Sequence, residues 1–190
     1  IFLWAFLPSQ PILTPFCLFV MMKFMEIPSV TPEAGDFRRA MRAWTTGVGV
    51  LMSAHDGQAY GVTINSLASL SLDPPLVTVV LMNDSFIYRL VAGSRAFSLT
   101  LLRADQQKVA EDFAGKLRGS ERMTSASIQT LPGGMPVLQG GLAWLDCRVV
   151  HVHPVGVNTL FIAEVVETGV LSTEDPLVYH DRGYHRLGKN

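Results

Sequence analysis

The chain has little cysteine and little charge, and each scarcity excludes a class of protein. Two cysteines among 190 residues cannot build a disulfide framework, and Cys147 lies in an apolar run that is typical of a core position. Charged residues make up 16% of the chain and the formal net charge is -1. We therefore expect no basic surface for nucleic acid, and the scarce cysteine favours a reducing, cytoplasmic location.

Several motifs that identify an enzyme class or a cofactor are also absent from the sequence. The sequence has no Walker motif, no Cys-x-x-Cys pair and no nucleophile elbow. Gly47-Val48-Gly49 begins like a dinucleotide-binding fingerprint, but Met52 stands where the third glycine belongs. His151 and His153 share one face of a predicted strand without a third ligand, so we expect an exposed polar face and no metal site.

The first 20 residues are apolar, but three prolines interrupt them, which argues against a membrane-spanning helix. They also lack the charged start and small-residue cleavage site of a secretory signal. We expect residues 1–35 to be an N-terminal extension and Pro-rich linker outside the domain, and residues 36–190 to form the domain. We expect translation of the native protein to start near residues 21–25, so that the segment before them is upstream sequence. A membrane or partner anchor is the alternative.

Hydrophobic content of 48% over this length is enough for one domain with a sizeable core. A short helix is predicted from a cap at Asp36, with apolar residues at helical spacing as far as Trp44. Trp44 and Trp144 are expected to be core or interface aromatics. A hairpin is predicted at Asp56-Gly57, because an Asp-Gly pair separates two β-branched, apolar runs.

Later segments continue the same pattern of strands and short helices. Leu76 to Met82 is predicted to be a buried strand, Ser85 to lie in the cap of a helix, and Asp105 to cap the next helix. Residues 116–135 are rich in charge, Ser and Gly and predict a mobile surface loop. Further strands are predicted over Val48–Ser53, Ala59–Ile64, Phe97–Leu102, Leu142–Val152, Thr159–Thr168 and Leu177–His180. The fold class expected is mainly β, an antiparallel barrel with a few helices.

One stretch stands out for its side-chain hydroxyls, YGVTINSLASLSLDPP over residues 60–75. It starts as a strand and then concentrates polar side chains at Thr63, Asn65, Ser66, Ser69 and Ser71. These groups can surround a polar ligand together with backbone N–H groups. The alternative is a Ser-rich loop whose hydroxyls bond only to local backbone.

This stretch resembles the G-x-T-x-x-S-x-x-S-x-S-x-D-P-P-L signature of the flavin reductase-like family. Later pieces resemble the same family in order and spacing, from Phe113-Ala114-Gly115 through Gly134–Leu138 and Thr159–Val165 to Pro176–Tyr179 and Tyr184. The resemblance implies an FMN-binding split barrel of Greek-key, antiparallel topology and a homodimer. It also implies an NAD(P)H-dependent reductase of FMN or FAD that supplies reduced flavin to a separate monooxygenase component, with NADH or NADPH as co-substrate.

The resemblance also implies positions for the flavin site. The implied flavin-binding residues are Thr63, Ile64, Asn65, Ser66, Ser69, Leu70, Ser71, Ser85, Phe113, Ala114 and Gly115. Asn158 and Tyr184 are implied on the nicotinamide side, and no catalytic residue is assigned. Asn158 stands where the family commonly has a histidine, so a flavin-binding electron-relay protein that does not use nicotinamide is the alternative function.

Overall fold

The computed structural model describes residues 31, 33–117 and 119–188. The expectation for residues 1–20 lies outside these residues. By its contacts the chain divides into two units, Ile1–Phe37 and Arg38–Asn190, and the sheets described below lie in the second. The described residues contain no helix that is long and apolar enough to cross a membrane.

Strands dominate the described chain. The helices are α1 Ala34–Arg42, α2 Phe86–Ser94, α3 Gln107–Glu111 and α4 Ser120–Thr124, with a 3-10 turn at Ala104–Gln106 and a π turn at Asp112–Lys116. The strands are β1 Thr46–Gly47, β2 Gly49–His55, β3 Gln58–Ile64, β4 Ala68–Leu72, β5 Pro75–Met82, β6 Ala96–Leu101, β7 Ile128–Thr130, β8 Pro136–Leu138, β9 Ala143–Val155, β10 Asn158–Val170, β11 Val178–His180 and β12 Gly183–His185.

Seven strands form one antiparallel sheet in the order β3-β2-β6-β9-β10-β5-β4. Smaller sheets are formed by β1-β11-β12 and by β7-β8. The predicted hairpin at Asp56-Gly57 is confirmed, because β2 and β3 pair across it with both turn residues at positive φ. The predicted mainly β, antiparallel class is confirmed.

Strand β2 explains why the sequence carries an unbroken apolar run at this point. Its side chains alternate between two hydrophobic clusters, with Leu51 in the first and Val50 and Met52 in the second. Both faces of the strand are therefore buried, which requires apolar residues at every position. The first cluster packs between the large sheet and α2, and the second contains Phe113.

The prediction of a buried strand over Leu76–Met82 is half wrong. Val77, Val79 and Leu81 are buried, whereas Val80 and Met82 are 39% and 56% exposed on the other face. Alternate side chains of a strand point to opposite faces, so an apolar run does not by itself bury both. The outer face of β5 is left apolar and open.

The prediction of a mobile surface loop over residues 116–135 is wrong in part. The segment contains α4 and β7, and its Arg122 and Leu131 are buried. Arg122 donates from Nη1 to the carbonyl oxygen of Gly61 at 3.1 Å and from Nη2 to that of Leu117 at 2.9 Å. Its guanidinium carbon also lies 4.8 Å from the ring centroid of Tyr60, so an arginine that suggested a solvated loop instead fixes the segment to β3.

One of the three predicted helix caps is confirmed and two are wrong. Ser85 caps α2, because its Oγ accepts from the backbone N–H of Tyr88 at 3.3 Å. Asp36 and Asp105 are not caps, because α1 begins at Ala34 and Asp105 lies inside the 3-10 turn. Asp105 forms an ion pair with Arg103 at 2.9 Å instead. A carboxylate at either position suits the first turn of a helix as well as its cap, so the sequence could not separate them.

Trp44, Trp144 and Cys147 also have definite places. Trp44 is 67% exposed and so is not a core residue of this chain, and its place at an interface stays a prediction. Trp144 is partly buried on β9. Cys147 is buried as predicted, and burial raises the pKa of its thiol to about 12, so it stays protonated near neutral pH.

Asp146 supports a pH-dependent prediction. It is 6% exposed, and burial, followed by the nearby charge of Glu167, raises the pKa of its carboxyl above the usual range. The folded protein therefore binds this proton more tightly than the unfolded chain, whose Asp pKa is about 3.9. Stability from this group is lost as the pH rises from that value through the folded pKa.

We expect Asp146→Asn to raise the melting temperature at pH 7, because the amide removes the cost of a buried charge. The gain should shrink as the pH falls through the raised pKa of folded Asp146 and vanish below the unfolded-state pKa of about 3.9, where both states of the wild type bind the proton. Glu167→Gln, which removes only the neighbouring charge, should give a smaller gain. Thermal melts of the three proteins across this pH range test the prediction. An Asn variant that melts below wild type at pH 7 would contradict it.

Candidate functional site

The hydroxyl-rich stretch lies where β3 ends and the chain crosses to β4. Thr63 and Ile64 close β3, Asn65 to Leu67 form the connection, and β4 begins at Ala68. Pairing continues along β4 with an irregularity between Ser69 and Ser71. The predicted Ser-rich loop is therefore in part an edge strand.

A cavity of about 720 Å³ opens beside this connection. One wall is the connection itself, Ile64 to Ala68, and another is the segment from Trp44 to Gly49. The rest of the lining is Met41, Leu101, Leu102, Leu142, Pro176 and Leu177. Mostly apolar walls with a few polar groups at one side are typical of pockets for planar organic ligands.

A second cavity of about 190 Å³ adjoins the first, since both are lined by Val48, Ile64 and Asn65. Thr63, Ala114, Tyr179 and Tyr184 complete its lining. We call the two together the Asn65 cleft. Asn65 is exposed, and among the residues that the structure describes its amide has no hydrogen-bond partner, so both its donor and its acceptor are open to a ligand.

Two of the hydroxyls are already engaged. Thr63 Oγ1 donates to the carbonyl oxygen of Ala110 at 2.7 Å, which ties β3 to the end of α3 and helps place Ala114 in the cleft. Ser66 Oγ bonds to both the backbone N–H and the carbonyl oxygen of Val80, each at 3.2 Å. Both hydroxyls are therefore engaged by backbone, but by backbone 47 and 14 residues away and not by the local backbone of the alternative interpretation, while Asn65 stays open.

Tyr184 reaches the cleft from the closing hairpin. Its ring meets that of Tyr179 edge-on with 5.5 Å between centroids. Burial, then the neighbouring Tyr179 and Glu111, raise the pKa of the Tyr184 phenol. It therefore stays neutral across the physiological range and can donate a hydrogen bond.

The structure brings together only some of the site residues predicted from the sequence. Those that line the cleft are Thr63, Ile64, Asn65, Ser66, Ala114 and Tyr184. Those that lie outside both cavities are Ser69, Leu70, Ser71, Ser85, Phe113, Gly115 and Asn158. The first three of these are on edge strand β4, and Ser85 is engaged in capping α2.

Phe113 and Asn158 lie outside the cleft in two different settings, a buried cluster and the start of a strand. The Phe113 ring has no exposed surface and packs in the second cluster, so it is not open to a ligand, whereas neighbouring Ala114 lines the cleft. Asn158 begins β10 opposite Met82, beside a turn that is fixed by Asn83, whose Nδ2 donates to the carbonyl oxygen of Gly156 at 3.2 Å. Its assignment to the nicotinamide side stays a prediction.

Sequence reasoning missed much of the cleft. Trp44 to Gly49 were interpreted as a helix end, an incomplete dinucleotide fingerprint and the start of a strand, yet they form a wall of the larger cavity. Leu101, Leu142 and Tyr179 come from three distant strands or their ends. Their apolar or aromatic character carries no signal of a site, because the same residues would suit any core.

The model of the flavin reductase-like domain family matches residues 41–188. The chain belongs to the flavin reductase-like family. An NADH-dependent flavin reductase of Pseudomonas fluorescens is 35% identical over 152 residues, which cover 78% of this chain and 87% of that protein. The reductase component of an FADH2-dependent resorcinol hydroxylase from a Rhizobium species is 31% identical over 151 residues, 78% of this chain and 84% of that one.

Solved structures of flavin reductases are similar in fold. The flavin reductase of styrene monooxygenase from Pseudomonas putida superposes with a TM-score of 0.73 at 31% identity, covering 82% of this chain and 99% of that one. The native-state flavin reductase PheA2 superposes with a TM-score of 0.76 at 32% identity, covering 83% and 100%. The predicted family and its split-barrel fold are confirmed.

The residues of the Asn65 cleft fit a flavin on physical grounds. The volume is within the range of pockets that hold such ligands, and the larger cavity offers apolar side chains to the faces of a planar ring. The unpartnered amide of Asn65 and the neutral phenol of Tyr184 match the donors and acceptors on a flavin ring edge. The described residues contain no cluster of acidic, His and Cys side chains that could hold a metal ion.

Proposed function

We propose that this chain is an NADH-dependent flavin reductase that supplies reduced flavin to a separate monooxygenase component. The observation that carries the proposal is the apolar cleft around the unpartnered Asn65, in a chain of this family. Its relatives are named as NADH-dependent reductases and as reductase components of monooxygenases, which favours this function over the electron-relay alternative.

Hydride transfer from nicotinamide to flavin requires the protein mainly to bind and orient the two rings. Flavin supplies the ring that accepts a hydride and the nicotinamide supplies the hydride. The side chains of Ile64, Leu101 and Leu142 would hold the flavin ring face-on and keep water from it, while Asn65 and Tyr184 fix its edge. Hydride transfer between the two rings needs no acid, base or nucleophile from the protein, which is consistent with the lack of an assigned one.

Steady-state oxidation of NADH in the presence and absence of added FMN or FAD tests the proposal. Oxidation that depends on added flavin supports it, and repeating the assay with NADPH establishes the donor. Tight flavin retention with no reduction by either nicotinamide, but reduction by a protein donor, would overturn it in favour of the relay.

We also propose that the outer face of β5 joins two copies in a homodimer. Val80 and Met82 lie exposed on this face, and their strand partners Leu160 and Asn158 continue it onto β10. Neighbouring apolar side chains that stay exposed on one sheet face favour an interaction surface there.

As further proposals, residues 1–35 lie outside the domain, and the protein acts in the cytoplasm.

We expect the double variant Val80→Lys, Met82→Lys to sediment as a monomer under conditions in which the wild type is dimeric, because each copy would bury two ammonium groups against those of the other. Val170→Lys is the matched control. It lies twelve residues along β10 from Asn158, about 40 Å away at strand spacing, and should stay dimeric. A dimeric double variant would contradict the proposed interface.

A further inference from the structure

A third cavity, of about 560 Å³, lies beside the Asn65 cleft and shares Asn65, Met41 and Trp44 with its larger part. Its other lining residues are Arg38, Arg42, Tyr179, Asp181 and Arg182. We call it the arginine cavity. Three guanidinium groups and one carboxylate give its lining a formal charge of +2. Within the part of the chain that the structure describes, no ion pair joins these arginines to a carboxylate.

The backbone holds these charges together. Helix α1 brings Arg38 and Arg42 to one side, and the β11–β12 turn brings Arg182 to the other. The N–H of Asp181 donates to the carbonyl oxygen of Arg42 at 3.2 Å, which ties the turn to the end of the helix. The two backbone segments that carry the three arginines are therefore held side by side.

Arg182 occupies an unusual position for its residue type. It follows Asp181 in a two-residue hairpin turn, in which φ is 43° at Asp181 and 67° at Arg182. Such turns favour Asn-Gly or Asp-Gly, because glycine adopts positive φ without steric cost. An arginine here is less favourable for the turn than glycine, yet it adds a cation to the cavity.

An aromatic side chain completes the cavity. Trp44 is 67% exposed at its edge, and Tyr179 is partly buried in its wall. Guanidinium groups bind phosphate oxygens in pairs of parallel hydrogen bonds, and an exposed indole offers a face on which a base can stack. The lining therefore combines groups for a phosphate with a surface for a heteroaromatic ring.

We propose that the arginine cavity binds the ADP portion of a dinucleotide, with its pyrophosphate on Arg38, Arg42 and Arg182 and its adenine against Trp44. The proposal rests on the proposed function, because the shared Asn65 places the reactive half of the dinucleotide in the adjoining cleft. FAD and NADH both carry an ADP portion, and the chemistry that recognises it is the same.

Titration calorimetry of the flavin-free protein with ADP tests binding without any reductase activity. We expect ADP to bind the wild type, and Arg38→Gln and Arg182→Gly each to weaken it about tenfold, through loss of a charge-assisted hydrogen bond. Arg182→Gly should melt no lower than the wild type, because glycine suits the turn. Arg39→Gln removes the same charge from the same helix outside the cavity lining and should bind ADP as the wild type does.

Steady-state kinetics separate the two sources of ADP. If the cavity takes the ADP half of NADH, Arg182→Gly raises the KM for NADH about tenfold with FMN or FAD, but leaves the KM for reduced nicotinamide mononucleotide unchanged. If it takes the ADP half of FAD, the variant raises the KM for FAD and not for FMN. Either pattern supports the proposal.

Failure of this proposal is distinct from failure of the reductase function. An active reductase that does not bind ADP, and whose KM values are unchanged in Arg182→Gly, would overturn the proposed ADP site and leave the reductase function intact. A wild type that binds ADP but oxidises no nicotinamide would overturn the reductase function and leave the site. Loss of ADP binding in Arg39→Gln equal to that in Arg38→Gln would show a non-specific charge effect and would also overturn the site.

Discussion

Phe113→Ala is expected to lower the free energy of unfolding by about 3–5 kcal/mol, the range for truncating a buried aromatic ring. Phe113 has no exposed surface and packs among Val50, Met52 and Leu102 in the second hydrophobic cluster. Its ring also lies against β3, where a Cβ on Gly61 would come within 2.6 Å of Cε1. Neighbouring strands are fixed by hydrogen bonds and cannot close over the space that the ring leaves.

Equilibrium denaturation in urea measures this effect. Phe37→Ala is the matched control, because Phe37 is 58% exposed and its loss should change stability by less than about 0.5 kcal/mol. Phe113→Leu should fall between the two, since it keeps much of the volume. A Phe113→Ala variant as stable as the control would show that this ring is not a core residue.

Asn65→Ala is expected to weaken flavin binding by about 1–3 kcal/mol, which is roughly 5- to 150-fold in Kd. Asn65 lines the Asn65 cleft and also the arginine cavity, and its amide has no partner among the described residues. A flavin edge that bonds to this amide would lose those bonds and stay desolvated. Stability should change little, because the side chain is exposed and makes no described hydrogen bond within the protein.

Quenching of flavin fluorescence on titration with protein measures the change. Asn65→Asp should bind more weakly still, because a carboxylate cannot donate to the flavin and repels its phosphate. Asn158→Ala removes the same amide group from outside the cleft and should leave the flavin Kd unchanged. Equal losses in Asn65→Ala and Asn158→Ala would contradict the assignment of the cleft as the flavin site.

Local patterns in the sequence predicted most of the fold. Asp56-Gly57 predicts its hairpin because few other dipeptides accept two positive φ values, and the Ser85 cap follows from a short-range hydrogen bond. Both signals lie within four residues of what they determine. The outer face of β5 could not be predicted, because an apolar run gives no information on which neighbouring element, if any, covers each face.

The same distinction between local and distant signals applies to Arg122. Charge, Ser and Gly around it predict a solvated loop, yet its guanidinium bonds to the carbonyl oxygen of Gly61, 61 residues away in the chain. That partner has no side chain that could have revealed the contact. Buried arginines held by backbone carbonyls therefore leave no pattern in a single sequence.

The candidate site could be predicted only along one continuous stretch. Thr63 to Ser66 were found because polar residues crowd together there, and the structure places them at the cleft. The facing walls come from β1, β6 and β11 or the residues beside them, whose apolar side chains look like any core. Arg38 and Arg182 are 144 positions apart, so only the fold brings their charges together.

Anaerobic mixing of the purified protein with FMN and NADH, with flavin absorbance followed at about 450 nm, tests whether the protein catalyses hydride transfer from nicotinamide to flavin. A hydride from the nicotinamide bleaches this band, and no oxygen is present to restore it. We expect rapid bleaching that needs the protein and is saturable in NADH. Saturable flavin binding without bleaching by NADH or NADPH would contradict the reductase function.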